Sequence, residues 1–177
     1  MNNIEIEKKW RVKELPEDLD NYEMIEMEQA YLNEHPTVRI RRENDDYVLT
    51  YKGISDNDIA HSEYNLPLTK EAFEHMLPKH DGRIIRKKRY VIPLNDHADT
   101  DISSVSDKAD GYCLKAELDI FDEPFAPLIV VEVEFPSMDA ADSFIPPVWF
   151  GEEVTHDIRF KNAVMAIDPD FNPKAML

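Results

Sequence analysis

The sequence predicts a mainly β domain of the α+β class: seven or eight strands with a few short helices. Segment after segment alternates apolar with charged residues at period two, the mark of a strand with two unlike faces. A run of turn-forming residues, Glu43-Asn44-Asp45-Asp46, sits between two such segments as a tight hairpin would require. Helical spacing is confined to brief stretches that carry their own caps and stops.

Residues 4–13 open the chain as a strand, with Ile4, Ile6 and Trp10 on one parity and Glu5, Glu7, Lys9 and Arg11 on the other. Leu15 to Asp20 reads as a turn with one helical turn, and Glu28 to Leu32 as a second strand. Thr37 to Arg42 and Tyr47 to Lys52 form the hairpin arms. On the first arm Val38 and Ile40 oppose Arg39 and Arg41; on the second Tyr47, Leu49 and Tyr51 oppose Thr50 and Lys52. Ser62 to Leu66 is another strand. Thr69 is placed to cap a helix through Phe73, Met76 and Leu77, which Pro78 stops.

Arg83 to Leu94 is strand-like, rich in β-branched and basic residues, with Lys87 and Arg89 sharing one parity. Asn95 to Asp110 is rich in Asp and Ser and is expected to be a loop. Tyr112 to Phe121 and Leu128 to Phe135 carry Glu117/Asp119 and Glu132/Glu134 at i, i+2 spacing, so each pair shares a face. Ser137 caps a short helix through Phe144, and a last helix is expected from Ile158 to Ile167 with Asp157 as its cap.

The 177 residues, 42% hydrophobic and 32% charged, suit one soluble globular domain spanning residues 1–177. No export signal is predicted, and the apolar run Leu128 to Val131 is far too short to span a bilayer. The single cysteine, Cys113, agrees with a reducing cytoplasm and reads as a packing residue. A net charge of −17 argues against nucleic-acid and membrane partners. Any polyanion must therefore be met by a local concentration of the 20 basic residues.

Their placement is uneven. Basic pairs (Arg39/Arg41, Lys87/Arg89) and acidic pairs (Glu5/Glu7, Glu132/Glu134) are segregated onto different strands. A β-sandwich with its charged faces in water produces the same alternation, but such faces mix their charges more freely. Closing the sheet with the charged parity inward would instead give a polar tunnel in which cations grip phosphates and carboxylates hold a hard metal ion.

Glu5-Ile6-Glu7-Lys8-Lys9 resembles the Glu-x-Glu-x-Lys signature of the CYTH superfamily, the triphosphate tunnel metalloenzymes. The resemblance continues in order through Arg39-Ile40-Arg41, Leu49-Thr50-Tyr51-Lys52, Glu63, Lys87-Lys88-Arg89-Tyr90, Glu117-Leu118-Asp119, Glu132-Val133-Glu134 and Gly151-Glu152-Glu153-Val154-Thr155. It implies an eight-stranded antiparallel β-barrel with flanking helices. It further implies a phosphate grip of Lys9, Arg39, Arg41, Lys52, Lys87 and Arg89, with Glu63 as a tunnel carboxylate. Glu5, Glu7, Glu132 and Glu134, assisted by Asp119 and Glu117, would bind Mg²⁺ or Mn²⁺. Lys9 and Tyr31 resemble a pair that assists proton transfer in some relatives, and Lys161 is a candidate contact at the tunnel mouth. His61 stands where the family often has an arginine.

The expected function is metal-dependent hydrolysis of a small triphosphate, inorganic tripolyphosphate first. The alternatives are a thiamine or nucleoside triphosphatase, a class IV adenylate cyclase, and a non-catalytic polyphosphate binder. The four glutamates of the expected metal site count against the last.

Overall fold

The structure, a computed structural model, describes residues 4–53, 60–94 and 113–177. Nine strands run in chain order: β1 (Ile4–Val12), β2 (Glu23–Asn33), β3 (Thr37–Glu43), β4 (Asp46–Lys52), β5 (Ala60–Pro67), β6 (Asp81–Pro93), β7 (Lys115–Phe121), β8 (Ile129–Glu134) and β9 (Phe150–Glu153). Three α-helices, α1 (Lys70–Met76), α2 (Met138–Ser143) and α3 (Asn162–Ile167), are joined by short 3₁₀ turns. The expected loop at residues 95–110 lies outside the described residues.

All strand pairs are antiparallel, in the order β5-β4-β3-β2-β6-β7-β8-β1-β9. β5 also pairs with β1 through Ile4↔Ser62, Glu5↔His61 and Ile6↔Ala60. That seam returns the circuit of eight strands to its start, leaving β9 as an added strand beside β1. Closure removes the exposed sheet edges that would otherwise template aggregation.

β3 and β4 pair from Thr37↔Lys52 to Glu43↔Asp46. The turn between them places Asn44 at φ 50, a left-handed conformation that Asn tolerates. Thr69 accepts from the Ala72 amide to start α1, and Ser137 accepts from the Ala140 amide to start α2. The expected final helix is instead two pieces. A 3₁₀ turn, Ile158–Phe160, is capped by Asp157; Lys161 takes an extended backbone, and α3 begins after it.

The faces decide between sandwich and tunnel. Trp10 is 3% exposed, yet so buried is its neighbour Lys9, at 8%, on the opposite face of the same strand. A strand with one face in water cannot bury both.

The outer face is covered in two places. Trp10, Ile92, Leu118, Val131 and Val133 pack beneath α2 with Trp149 and Phe150. Ala30 and Ile40 pack beneath Phe73 of α1. A third apolar cluster lies at one end of the barrel. There Phe121 and Val130 continue the parity of Asp119 and Glu132, and meet Ile85, Phe160 and Met165 of α3. The inward face is therefore charged along the middle of the barrel and apolar at that end.

Gly82, at φ 65, lets α3 approach β6: a Cβ there would lie 2.2 Å from the Ala166 carbonyl oxygen. We expect Gly82→Ala to destabilise the fold by about 2–4 kcal/mol, combining a strained backbone with an overpacked contact. Urea denaturation reads this directly as a lower midpoint at unchanged slope.

Candidate active site

A cavity of about 350 Å³ occupies the barrel interior, a volume suited to a small ligand. Its walls bring together Lys9, Arg39, Arg41, Lys52, Lys87 and Arg89 with Glu7, Glu117 and Glu132. The lining also takes in residues 34–37 and several residues between Val154 and Val164, Lys161 among them. Strand alternation explains the convergence. Residues two apart on one strand share a face, and neighbouring strands repeat that face around the ring.

Arg89 lies at the centre of the ionic network. Its Nε and Nη2 donate to the two Asp119 oxygens, each at 2.7 Å. Nη2 also donates to Glu132 at 2.8 Å, and Nη1 donates to Glu117. The planar guanidinium is the side chain whose geometry can fork in this way. Lys87, 2% exposed, donates to Asp119 as well. Burial, with Arg89 beside it, pushes the Lys87 amine down to about 8 despite the Asp119 carboxylate. Asp119 itself is fully buried, with both oxygens engaged by these two cations.

Lys9 donates to the Phe160 carbonyl at 3.0 Å and pairs with Glu132 at 2.7 Å. Burial opposes its charge, but Glu132 and Glu7 prevail and hold the amine above its ordinary value. Burial likewise opposes the Glu132 carboxylate, and Lys9, Arg89 and Lys87 outweigh it, keeping it ionised well below the usual range.

Across the barrel Lys52 lies 3.3 Å from Glu63 and 3.9 Å from Glu7, and Arg39 lies 3.8 Å from Glu63. Asn65 donates to Glu63 at 2.9 Å. Glu63 therefore orients Arg39 and Lys52 from behind. Arg41 pairs with Glu43 at 2.7 Å, while burial and the nearby Arg39 lower its affinity for its proton.

The acidic residues divide into two groups. Asp119 and Glu132 are engaged by buried cations. Glu7 stands directly opposite Glu134 on neighbouring strands, and Glu117 opposite Glu132. Like charges so placed repel. Burial first, then the surrounding carboxylates, pushes both the Glu117 and Glu134 carboxyls up. Glu134 is exposed and stands outside the cavity lining. Glu5 is described only through its register with His61.

Such a set of facing carboxylates fits a hard divalent cation. Among the described residues no three metal-binding side chains gather closely enough to enclose an ion by themselves.

Tyr31, 2% exposed, presents its hydroxyl to the cavity, and burial raises its pKa above the ordinary phenol value. Three contributors escaped the sequence reading. Gln29 stands between Met27 and Tyr31 on its face of β2, with no charged residue two places away to mark it. The Phe160 carbonyl belongs to no side-chain pattern. Thr155, which accepts from the Lys9 amide at 3.1 Å, was quoted for resemblance without a role.

Comparison with known proteins places these features in context. The CYTH domain pattern matches residues 3–133. An inorganic triphosphatase of Nitrosomonas europaea is 36% identical over 167 residues, covering 92% of this chain and 97% of that protein. The crystal structure of an inorganic triphosphatase, 34% identical, superposes with a TM-score of 0.63, covering 92% of this chain and 94% of the other. A more distant structure from Bacillus halodurans, 14% identical, shares the fold at a TM-score of 0.51 over 83% of this chain and 95% of its own.

Proposed function

The chain belongs to the CYTH domain family, and from that premise we propose that it is a cytoplasmic, single-domain inorganic triphosphatase. It is a hydrolase acting on a phosphoanhydride bond of a small triphosphate. The observation that carries this reading is the convergence of Lys9, Arg39, Arg41, Lys52, Lys87 and Arg89 on one cavity in a protein of net charge −17. A triphosphate carries several negative charges, and each one taken from water must be compensated.

The residues present fit a divalent metal, and we assign Glu5, Glu7 and Glu134 to it, with Glu117 and Glu132 beside them; Mg²⁺ or Mn²⁺ suits these oxygen donors. When bound, such an ion would supply Lewis-acid neutralisation of the phosphate charge.

The remaining steps belong to the chain. Arg39, Arg41 and Lys52 on the β3–β4 hairpin hold phosphate oxygens from one wall, and Lys87 and Arg89 on β6 hold them from another. Because Glu63, Asp119 and Glu132 already orient these cations, little reorganisation accompanies charge development in the transition state. Lys9, with two donors committed to Glu132 and Phe160, has its third N–H for the substrate. Asp119, enclosed by Arg89 and Lys87, belongs with the orienting carboxylates rather than the metal. Lys161 contacts the outermost phosphate from the mouth.

A release assay tests the reading on tripolyphosphate, ATP and thiamine triphosphate, each with Mg²⁺, Mn²⁺ or chelator. Metal-dependent phosphate release that is fastest from tripolyphosphate is the expected result. Cyclic AMP with pyrophosphate from ATP would make it a cyclase, and metal-independent binding without turnover would make it a sensor.

A further inference from the structure

Gln29 is a neutral polar side chain in the middle of a strand, 1% exposed, in the wall of the cavity that the basic and acidic side chains share. Its amide Nε2 donates to the Tyr31 hydroxyl at 3.2 Å. Arg39, cross-strand partner of Tyr31, brings its positive charge to bear on that hydroxyl. A guanidinium has no acceptor, and the Gln29 nitrogen is a donor, so both call on the lone pairs of the phenol oxygen. The one proton of the hydroxyl is consumed by neither.

The backbone reinforces this aim. β2 shifts register against β6 between Gln29 and Tyr31, and against β3 between Tyr31 and Asn33. Irregularities on both edges re-aim a single side chain, and here they flank Tyr31. Its ring packs with Ile85 and Phe121 in the apolar end of the barrel while its hydroxyl lines the cavity.

We propose that Gln29 is a positioning residue: with Arg39 it occupies the acceptor side of the Tyr31 hydroxyl and leaves the phenol proton directed into the cavity, where it donates to a phosphate oxygen. This rests on the triphosphatase reading. It makes Tyr31 a neutral donor that stabilises developing phosphate charge, and it gives uncharged residues a part beside the ionic grip. Burial, which keeps the phenol protonated, is consistent with that part.

A double-mutant cycle tests it, with kcat/KM for tripolyphosphate measured in saturating Mg²⁺ for the wild type, Gln29→Met, Tyr31→Phe and the double variant. Each single change is expected to lower kcat/KM about tenfold, equivalent to ~1.4 kcal/mol. The double variant is expected to be no worse than Tyr31→Phe. A merely structural glutamine would lower the rate equally in both backgrounds, and that outcome, or an unchanged Gln29→Met, overturns the proposal. So does an unchanged Tyr31→Phe.

If Gln29→Met loses its cooperative unfolding transition, Gln29→Glu keeps the side-chain shape while offering only acceptors, which draw the phenol proton back. Its charge opposes the triphosphate in either background, so it is expected to lower kcat/KM by a larger factor with Tyr31 present than in Tyr31→Phe, and an equal factor in both overturns the assignment. A wild type that hydrolyses no triphosphate brings down the triphosphatase reading itself. A normal wild type with additive variants brings down the Gln29 assignment only.

Discussion

Arg89→Ala is expected to abolish turnover of tripolyphosphate, by about 10³-fold or more, and to destabilise the fold by about 3–5 kcal/mol. The two losses share one cause. Arg89 bonds Asp119, Glu117 and Glu132 together, and its removal leaves Asp119 with Lys87 alone and Glu132 with Lys9 alone, all out of water. An uncompensated buried charge costs more than the pair contributed. Arg89→Lys separates the effects: its ammonium restores charge but not the fork. Most of the stability is then expected to return, while kcat/KM stays about 10²-fold down. Urea titration and steady-state kinetics on the same preparations read both quantities. A turnover close to wild type in Arg89→Ala would remove Arg89 from the grip.

Glu7→Gln is expected to behave in the opposite sense. Turnover at fixed Mg²⁺ should fall by about 10²–10³-fold, because a proposed metal ligand is lost. Stability measured in chelator should hold, or rise by about 0.2–1 kcal/mol. Glu7 faces Glu134 across the β1–β8 pair, while its cation partner Lys52 is 3.9 Å away. Glu7 also supports the buried charge of Lys9, so neutralising it removes an attraction as well as a repulsion, and the two largely offset. Raising the Mg²⁺ concentration should recover part of the rate, as expected when affinity for the ion is what was lost. A variant that loses stability and keeps its rate would place Glu7 in the scaffold instead.

Alternation made most of the fold legible. In β1 the parity that separates Ile6 and Trp10 from Glu7 and Lys9 is the parity that separates the outer core from the cavity. The hairpin at Asn44 and the caps Thr69, Ser137 and Asp157 follow from local chemistry and stand where the sequence puts them.

The misses are equally physical. β2 begins at Glu23, well before the expected start at Glu28, because its first residues carry few β-branched side chains and are ordered by pairing with β6. β9 is four residues with no alternation to read, and forms because β1 offers it an edge. The expected continuous final helix breaks at Lys161, where an extended residue re-aims the chain across the barrel end.

Within the candidate site, spacing could place Asp119 on the inner face but not choose its partner. That choice depends on Lys87 and Arg89 reaching it from the neighbouring strand. Gln29 lacked any signal, since one amide among charged neighbours has no pattern of its own.

The closure of the ring also constrains how the chain can be made. β1 leaves the ribosome ahead of the other eight strands described, yet its long pairing edge is filled by β8 and its other edge by β9 and the β5 seam. Two of those three partners come from the last third of the sequence. Lys9 shows the dependence most sharply, being held by Glu132, Thr155 and Phe160. Local hairpins such as β3–β4 can form early, but the loop joining β1 to its partners must close against chain entropy before any contact repays it. During translation the edge of β1 that β8 fills therefore waits unpaired, and the nascent chain passes from several hairpins to a working enzyme in one late step.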